Sequence, residues 1–379
     1  MADYYVDGTI TSASGQGDGS IGNPWGKTDD LWDYCLSQIA AAGGAGSTGD
    51  NLIVLDGGFS QTTDPDPTVV AYTQGKMLYV RPNVLDGTQR IPFDCGTKRV
   101  MGASTQEMGF QFYFCDFTNL SPDGYTLYVR SYGSVYYCTF DGSGGSHSGC
   151  CRLGGQGKII GCRFFNDNRT TSLFFSGSTG QQIMWNIFEP AYNGYMGYTY
   201  ASVFAHNLIL PTTSMTYSTG MVLPIQTGRM FRNTFYGNYG TDPNRGAGFY
   251  VPNSYESNYI ANNYFEGIRS EINDVSTSQH MNTFEVLSGN RSFNISNSEM
   301  PPLEYTRLIY QNNDWGMSES GLVDPANGDY RPNKNLINAG WRDDEINTEI
   351  TSMSAELGLK PTIGAYDAIT VAQKVRDLY

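Results

Sequence analysis

Asp141, Arg163 and Glu189 are residues of this chain whose types and spacing could do chemistry together. Two carboxyl groups about 6.5–9.5 Å apart can divide the cleavage of a glycosidic bond, one protonating the leaving oxygen while the other activates water. An arginine between them could hold a uronate or sulfate, or act with a carboxylate in a lyase mechanism. A second set, Asp116, Tyr236, Tyr264 and Glu266, combines acceptors with rings that could carry carbohydrate. On a protein of formal charge -14, outward carboxylates are also ordinary solvated surface. Either set matters only if the fold puts its members on one face, so the elements that would position them come next.

A short motif, Cys or Asn, any residue, then an aromatic or large apolar residue, begins at Cys115, Cys138, Cys162, Asn186, Asn207, Asn233 and Asn263. Successive starts are 23, 24, 24, 21, 26 and 30 residues apart. Asn282-Thr283-Phe284 and Asn313-Asp314-Trp315 are expected to continue it. Three residues before each motif stands an apolar column, Phe112, Val135, Ile159, Ile183, Phe204, Met230 and Ile260. The local alternation has period 2, the period of a strand and not of a helix. Two columns at fixed offsets that recur once per repeat predict a β-solenoid with one coil per repeat.

In such a coil equivalent residues stack at strand spacing, ~4.8 Å. An inward Asn at a coil corner can bond the turn backbone and the next Asn, satisfying polar groups that have no water inside. Cys fits the same corner as a small side chain that tolerates burial, so Cys115, Cys138 and Cys162 read as buried thiols. Parallel Cβ vectors one rung apart are slightly too far apart for an undistorted disulfide. Of the vicinal pair Cys150 and Cys151, alternation predicts one buried and one exposed. The same register puts positions one and three after each corner outward: Asp116, Asp141, Arg163, Glu189, Tyr236, Tyr264 and Glu266. Asp141 and Glu189 then share a column two rungs apart, ~9.6 Å by strand spacing, with Arg163 on the rung between.

Composition narrows the partners. Lys+Arg 23 against Asp+Glu 37 excludes an extended phosphate-binding surface and hence nucleic acid. No stretch is long and apolar enough for membrane insertion. The 45 glycines and 27 tyrosines, with only 16% charged residues, suit a turn-rich β protein. Seven cysteines without paired spacing signal neither a disulfide framework nor zinc. No spacing is diagnostic of a calcium cluster, so no cofactor is expected. His147, His206 and His280 fall in different coils, and His206, just before a ladder Asn, reads as structural. Trp185 with Tyr192, Tyr195, Tyr198 and Tyr200 could form a sugar-stacking platform or a subunit interface. The expected organisation is an N-terminal strand and capping helix in 1–50, coils in 51–340, and a terminal coil and tail in 341–379. Thr28 is the expected N-cap of that helix, with Leu31, Trp32, Cys35, Leu36 and Ile39 on its buried face.

With Tyr4-Tyr5-Val6-Asp7, Gly22-Asn23-Pro24-Trp25 and a helix at one end, and Asp324-Pro325-Ala326-Asn327-Gly328-Asp329-Tyr330 and Ile363-Gly364-Ala365-Tyr366-Asp367 at the other, the chain resembles the right-handed parallel β-helix proteins. That group contains pectate-lyase-like polysaccharide lyases, related hydrolases and bacteriophage tailspikes, and the Asn column is similar to its asparagine ladder. The resemblance implies an all-β, right-handed parallel β-helix. It also implies one of two functions, a virion-surface role, structural or glycan-binding, or polysaccharide cleavage in a groove along the helix side. The opening residues carry neither a basic nor an apolar leader segment, which favours the virion over secretion to an extracellular site. A homotrimer that meets other virion proteins and bacterial surface polysaccharide is the expected assembly.

Overall fold

A computed structural model of the chain describes residues 2–10, 17–26, 30–42, 49–62, 77–100, 109–120, 125–129, 133–142, 149–153, 157–167, 171–175, 181–190, 195–198, 203–210, 221–222, 229–237, 247–251, 258–268, 270–274, 284–295, 306–311 and 313–336. These fall into two compact units, one of residues 2–182 with 189–190, the other of 183–188 and 195–336. Each unit is a parallel β-solenoid, as the repeat predicts. Thr28, Asn282, His147, His280, Tyr192, Tyr200 and everything after 336 lie outside the described residues.

In the first unit, sheet I runs through Asp3–Asp7, Asp50–Asp56, Met77–Pro82, Gly109–Tyr113, Ser134–Tyr136 and Lys158–Ile160. Sheet II follows the corner on each coil: Phe59–Ser60, Ile91–Asp94, Cys115–Thr118, Thr139–Asp141 and Arg163–Asp167. Sheet III contains Tyr125–Val129, Gly149–Leu153 and Thr171–Phe175. Pairing is parallel throughout, and Phe117, Phe140 and Phe164 are direct partners. The inner aromatic column is stacked, with centroids 5.2 Å apart for Phe59 and Phe93, 5.1 Å for Phe93 and Phe117, 4.9 Å for Phe117 and Phe140 and 4.7 Å for Phe140 and Phe164. Offset ring stacks of this spacing add to the hydrophobic gain of burial.

The second unit repeats the plan. Its sheet I contains Val203–Ala205, Arg229–Phe231, Asn258–Ala261, Phe284–Ser288 and Thr306–Gln311. Its sheet II contains Leu208–Ile209, Thr234–Tyr236, Tyr264–Glu266, Arg291–Phe293 and Asp314–Trp315, and its sheet III Tyr195–Tyr198, Met221–Val222, Ala247–Val251 and Ser270–Asp274. All seven members of the apolar column three residues before the motif are buried.

Between sheets I and II one residue turns the chain. Phe114, Tyr137, Trp185, His206, Arg232 and Asn262, each just before a ladder residue, have φ of 54–56°, and Gly161 and Gly289 hold the same place at 67° and 68°. A side chain in this left-handed region costs roughly 1–2 kcal/mol, so the corner persists only where neighbours stabilise it. They do so by stacking: Phe114 on Tyr137 at 5.2 Å and Trp185 on His206 at 5.4 Å. Gly161 makes room, since a Cβ there would stand 2.5 Å from the Tyr137 ring.

Helix α1 (Leu31–Ala41) is the only α-helix among the described residues, and it buries the expected face. Trp32 is fully buried against Phe59 and Phe93, and its indole N–H donates to the Val100 carbonyl at 3.0 Å. The helix starts later than a Thr28 cap implies: Asp30 is the N-cap and its side chain makes no capping bond. Its carboxylate instead accepts from the Thr62 hydroxyl at 3.0 Å, tying the helix start to the first coil.

Candidate functional site

The ladder is the polar spine that fixes the register of every outward side chain. In the first unit the Cys138 sulfur accepts from the Cys115 N–H at 3.4 Å and its thiol donates to the Phe112 carbonyl at 3.6 Å. Cys162 does the same for Cys138 and Val135. In the second unit Asn207 Oδ1 accepts from both the N–H and the Nδ2 of Asn186, while its own Nδ2 donates to the Ile183 carbonyl, all at 3.0 Å. The pattern repeats through Asn233, Asn263, Asn290 and Asn313. Asn313 is therefore a ladder residue as expected, but the rung below it belongs to Asn290 and not to Asn282. At that rung the aromatic position is Ser292, and Trp315 reaches back across it to Phe265, with centroids 6.3 Å apart.

On this spine the outer face of sheet II in the first unit is open and rich in acceptors. Asp116 is the best-held carboxylate. Arg90 Nε donates to both its oxygens, at 2.8 and 2.9 Å, and the Thr139 hydroxyl donates at 2.6 Å. Arg90 also donates to the Tyr137 carbonyl at 3.1 Å, which anchors the pair to the corner of a neighbouring coil. Asp94 accepts from the Gly96 N–H and from Asn119 Nδ2 at 2.9 and 2.8 Å. Between these groups and the start of α1 lies a cleft of about 300 Å³, with Leu31, Gly58 and Pro92 as its apolar part and Asp94, Asp116 and Thr118 as its polar part. Gly58 is needed there because a Cβ would meet the Pro92 carbonyl oxygen at 2.0 Å.

Of the three residues with candidate catalytic chemistry, Arg163 and Glu189 meet: both Nε and Nη2 of Arg163 donate to Glu189 Oε2 at 2.8 Å. The Arg163 guanidinium lies 5.0 Å from the centre of the Phe165 ring. Phe165 is the register partner of Asp141, so a ring, not an arginine, stands in the Asp141 column. A glycosidase acid must deliver a proton from a free carboxyl oxygen, and here the Glu189 oxygen facing Arg163 is already taken by guanidinium N–H groups.

Three of the four expected carbohydrate contacts are placed differently. Tyr236, Tyr264 and Glu266 belong to the second unit, and the expectation that they point to solvent is corrected. Tyr264 is fully buried, Glu266 is 6% exposed, and the half-buried Tyr236 packs on Tyr330 at 5.2 Å. The covering segment is distant in sequence, which register alone does not reveal. Trp185, expected in an exposed aromatic platform, is instead a buried corner residue, and His206 is structural as expected. Tyr195 and Tyr198 are on a strand whose side chains are outside the described set. Cys150 and Cys151 are both buried, since an outward position in a strand can still be covered; all seven thiols are free.

Among the described residues no group of three or more His, Cys, Asp or Glu is arranged to hold a metal, and no helix is long and apolar enough to cross a membrane. No protein-family model and no curated protein matches the chain.

Proposed function

We propose that this protein is a virion-surface β-solenoid that binds a neutral host glycan on the open outer face of sheet II in its first unit. The observation that carries the reading is the cleft with Asp94, Asp116 and Thr118 on a rigid sheet. Sugar hydroxyls are donors, and carboxylates held in place by Arg90, Thr139 and Asn119 are acceptors that need no reorganisation to receive them. A formal charge of -14 opposes acidic polysaccharides through long-range repulsion, which leaves neutral glycans as the favoured class.

The test is a glycan array followed by calorimetry on the best neutral ligand, with Asp94→Asn and Asp116→Asn compared against wild type. Both variants should weaken binding by about ten-fold or more, since each removes a charged acceptor worth roughly 1.5–3 kcal/mol. Unchanged affinity in both sinks the site. Release of oligosaccharide, lost in Asp141→Asn or Glu189→Gln, would replace binding by cleavage. Absence of the protein from purified particles would remove the virion assignment.

A further inference from the structure

On the second unit the outer face of sheet II is closed by its own chain. After Asp314–Trp315 the backbone turns at Gly316 (φ 98°), and Leu322–Asp324 and Asp329–Pro332 form an antiparallel hairpin with Gly328 (φ 82°) at its turn. Leu322 and Leu336 pack on Tyr264, and Tyr330 packs on Tyr236. The backbone comes so close at Gly321 that a Cβ would stand 2.7 Å from Leu336 and 2.8 Å from the Tyr264 ring. The Gly321 N–H donates to the Tyr264 hydroxyl at 2.6 Å, and the Ser320 hydroxyl donates to Glu266 Oε2 at 2.7 Å. The Tyr264 hydroxyl donates to the same carboxylate oxygen at 2.5 Å.

The cluster contains a mismatch. Glu266 is buried with two hydroxyls as its partners and no basic group among them. A carboxylate taken out of water without a counter-charge is costly, and it is the hairpin that takes this one out of water. We propose that Gly316–Leu336 is a reversible strap over the Tyr236 and Tyr264 face, latched through Glu266, that docks most tightly in acid and loosens as the pH rises to neutrality. This stands apart from glycan binding in the first unit.

The linkage has one direction. Burial pushes the Glu266 carboxyl above its ordinary value, outweighing the opposing effect of the Tyr264 and Ser320 hydroxyls. With the strap open the group regains an ordinary value, so the docked form binds the proton more tightly. Docking is therefore strongest below the ordinary carboxylate range, is lost progressively up to the raised value and is flat above it. The other titratable groups facing Glu266 are the phenols of Tyr236 and Tyr264, both raised by burial and both protonated throughout. The strap's own Glu319, Arg331 and Lys334 are exposed, and Asp329 is paired with Arg331.

Hydrogen exchange of the Gly321 and Asn333 amides at pH 4.5 and pH 8, corrected for intrinsic rates, tests this. Wild-type protection should fall with pH, by about ten-fold for each unit separating the docked and open values. Glu266→Gln should keep acid-level protection at both pH values, because its carboxamide oxygen still accepts from both hydroxyls. Gly321→Ala should lower protection at both. The Tyr264 amide, bonded to the Asn233 carbonyl at 2.8 Å, reports that the coils are intact. Equal wild-type protection at the two pH values, or a pH dependence that survives in Glu266→Gln with intact coils, overturns the proposal.

Discussion

The corner of the coil is built with thiols in one unit and with carboxamides in the other, and the same two backbone groups are satisfied each time. A ladder side chain accepts the N–H of the preceding ladder residue and donates to the carbonyl three residues before it. Cys138 does this at 3.4 and 3.6 Å, and Asn207 at 3.0 and 3.0 Å. The thiol has one weak donor and one weak acceptor and is then exhausted, whereas the carboxamide has further capacity. That capacity makes the Asn column continuous, because each Nδ2 also donates to the next Oδ1, as Asn207 does to Asn233 and Asn233 to Asn263. The thiols of Cys115, Cys138 and Cys162 touch one another only through weak sulfur bonds, whereas the Asn column is a connected chain of strong bonds in a dry interior, where such chains reinforce one another.

The largest expected effect follows from that connectivity. Asn233→Ala leaves the Asn207 N–H and the Phe204 carbonyl without their partner and cuts the side-chain chain in both directions. At about 1–3 kcal/mol per buried group left unsatisfied, the loss should be ~3–5 kcal/mol in denaturant unfolding. Cys138→Ala removes only weak sulfur bonds, from the Cys115 N–H at 3.4 Å and shared between the Phe112 and Tyr136 carbonyls at 3.6 and 3.3 Å, and a small volume, and should cost ~1–2 kcal/mol. Equal losses would erase the distinction between the columns. Cys138→Asn sharpens it: shorter bonds to the Cys115 N–H and the Phe112 carbonyl should offset the extra volume and keep stability within ~1 kcal/mol of wild type.

Reactivity separates the columns next. Burial pushes the Cys35, Cys95, Cys115, Cys151 and Cys162 thiols up, away from the thiolate that reacts. Titration with a disulfide reagent at pH 8 should find almost no reaction in the native protein and all seven thiols in strong denaturant. Rapid native labelling of Cys138 would mean that the thiol column of the first unit opens locally.

How far these features could be read from the sequence follows from what each depends on. The columns at Cys115 to Cys162 and Asn186 to Asn263 were legible because a solenoid repeats one environment, and one environment selects a narrow set of side chains. Asn290 was not, because the aromatic that marks the motif is Ser292 there and its space is filled from Trp315, one rung on. The left-handed corner leaves a weaker mark in the sequence: Phe114, Tyr137, Trp185 and His206 are rings, but Arg232, Asn262, Gly161 and Gly289 hold the same left-handed backbone, so no single residue type signals it. Register told correctly that Asp116 and Arg163 face out of the coil. It could not tell that Tyr264 and Glu266, at outward offsets one and three, lie under a segment more than fifty residues away in sequence.

The smallest effects test whether the open face in the first unit is held as firmly as the ladder beneath it. Arg90→Ala removes a two-pronged bond to Asp116 and the tie to the Tyr137 carbonyl, with side chains only 25% and 33% exposed. That network should be worth about 1 kcal/mol. The Arg163 side chain is 52% exposed and grips a single oxygen of Glu189. Arg163→Ala should shift stability by less than about 0.5 kcal/mol, and added salt should remove what remains, because exposed pairs lose in side-chain entropy and screening what they gain in attraction. A loss of 2 kcal/mol from Arg163→Ala would show that its contact with Phe165 carries packing energy, and the outer face would then have to be counted as part of the spine's support.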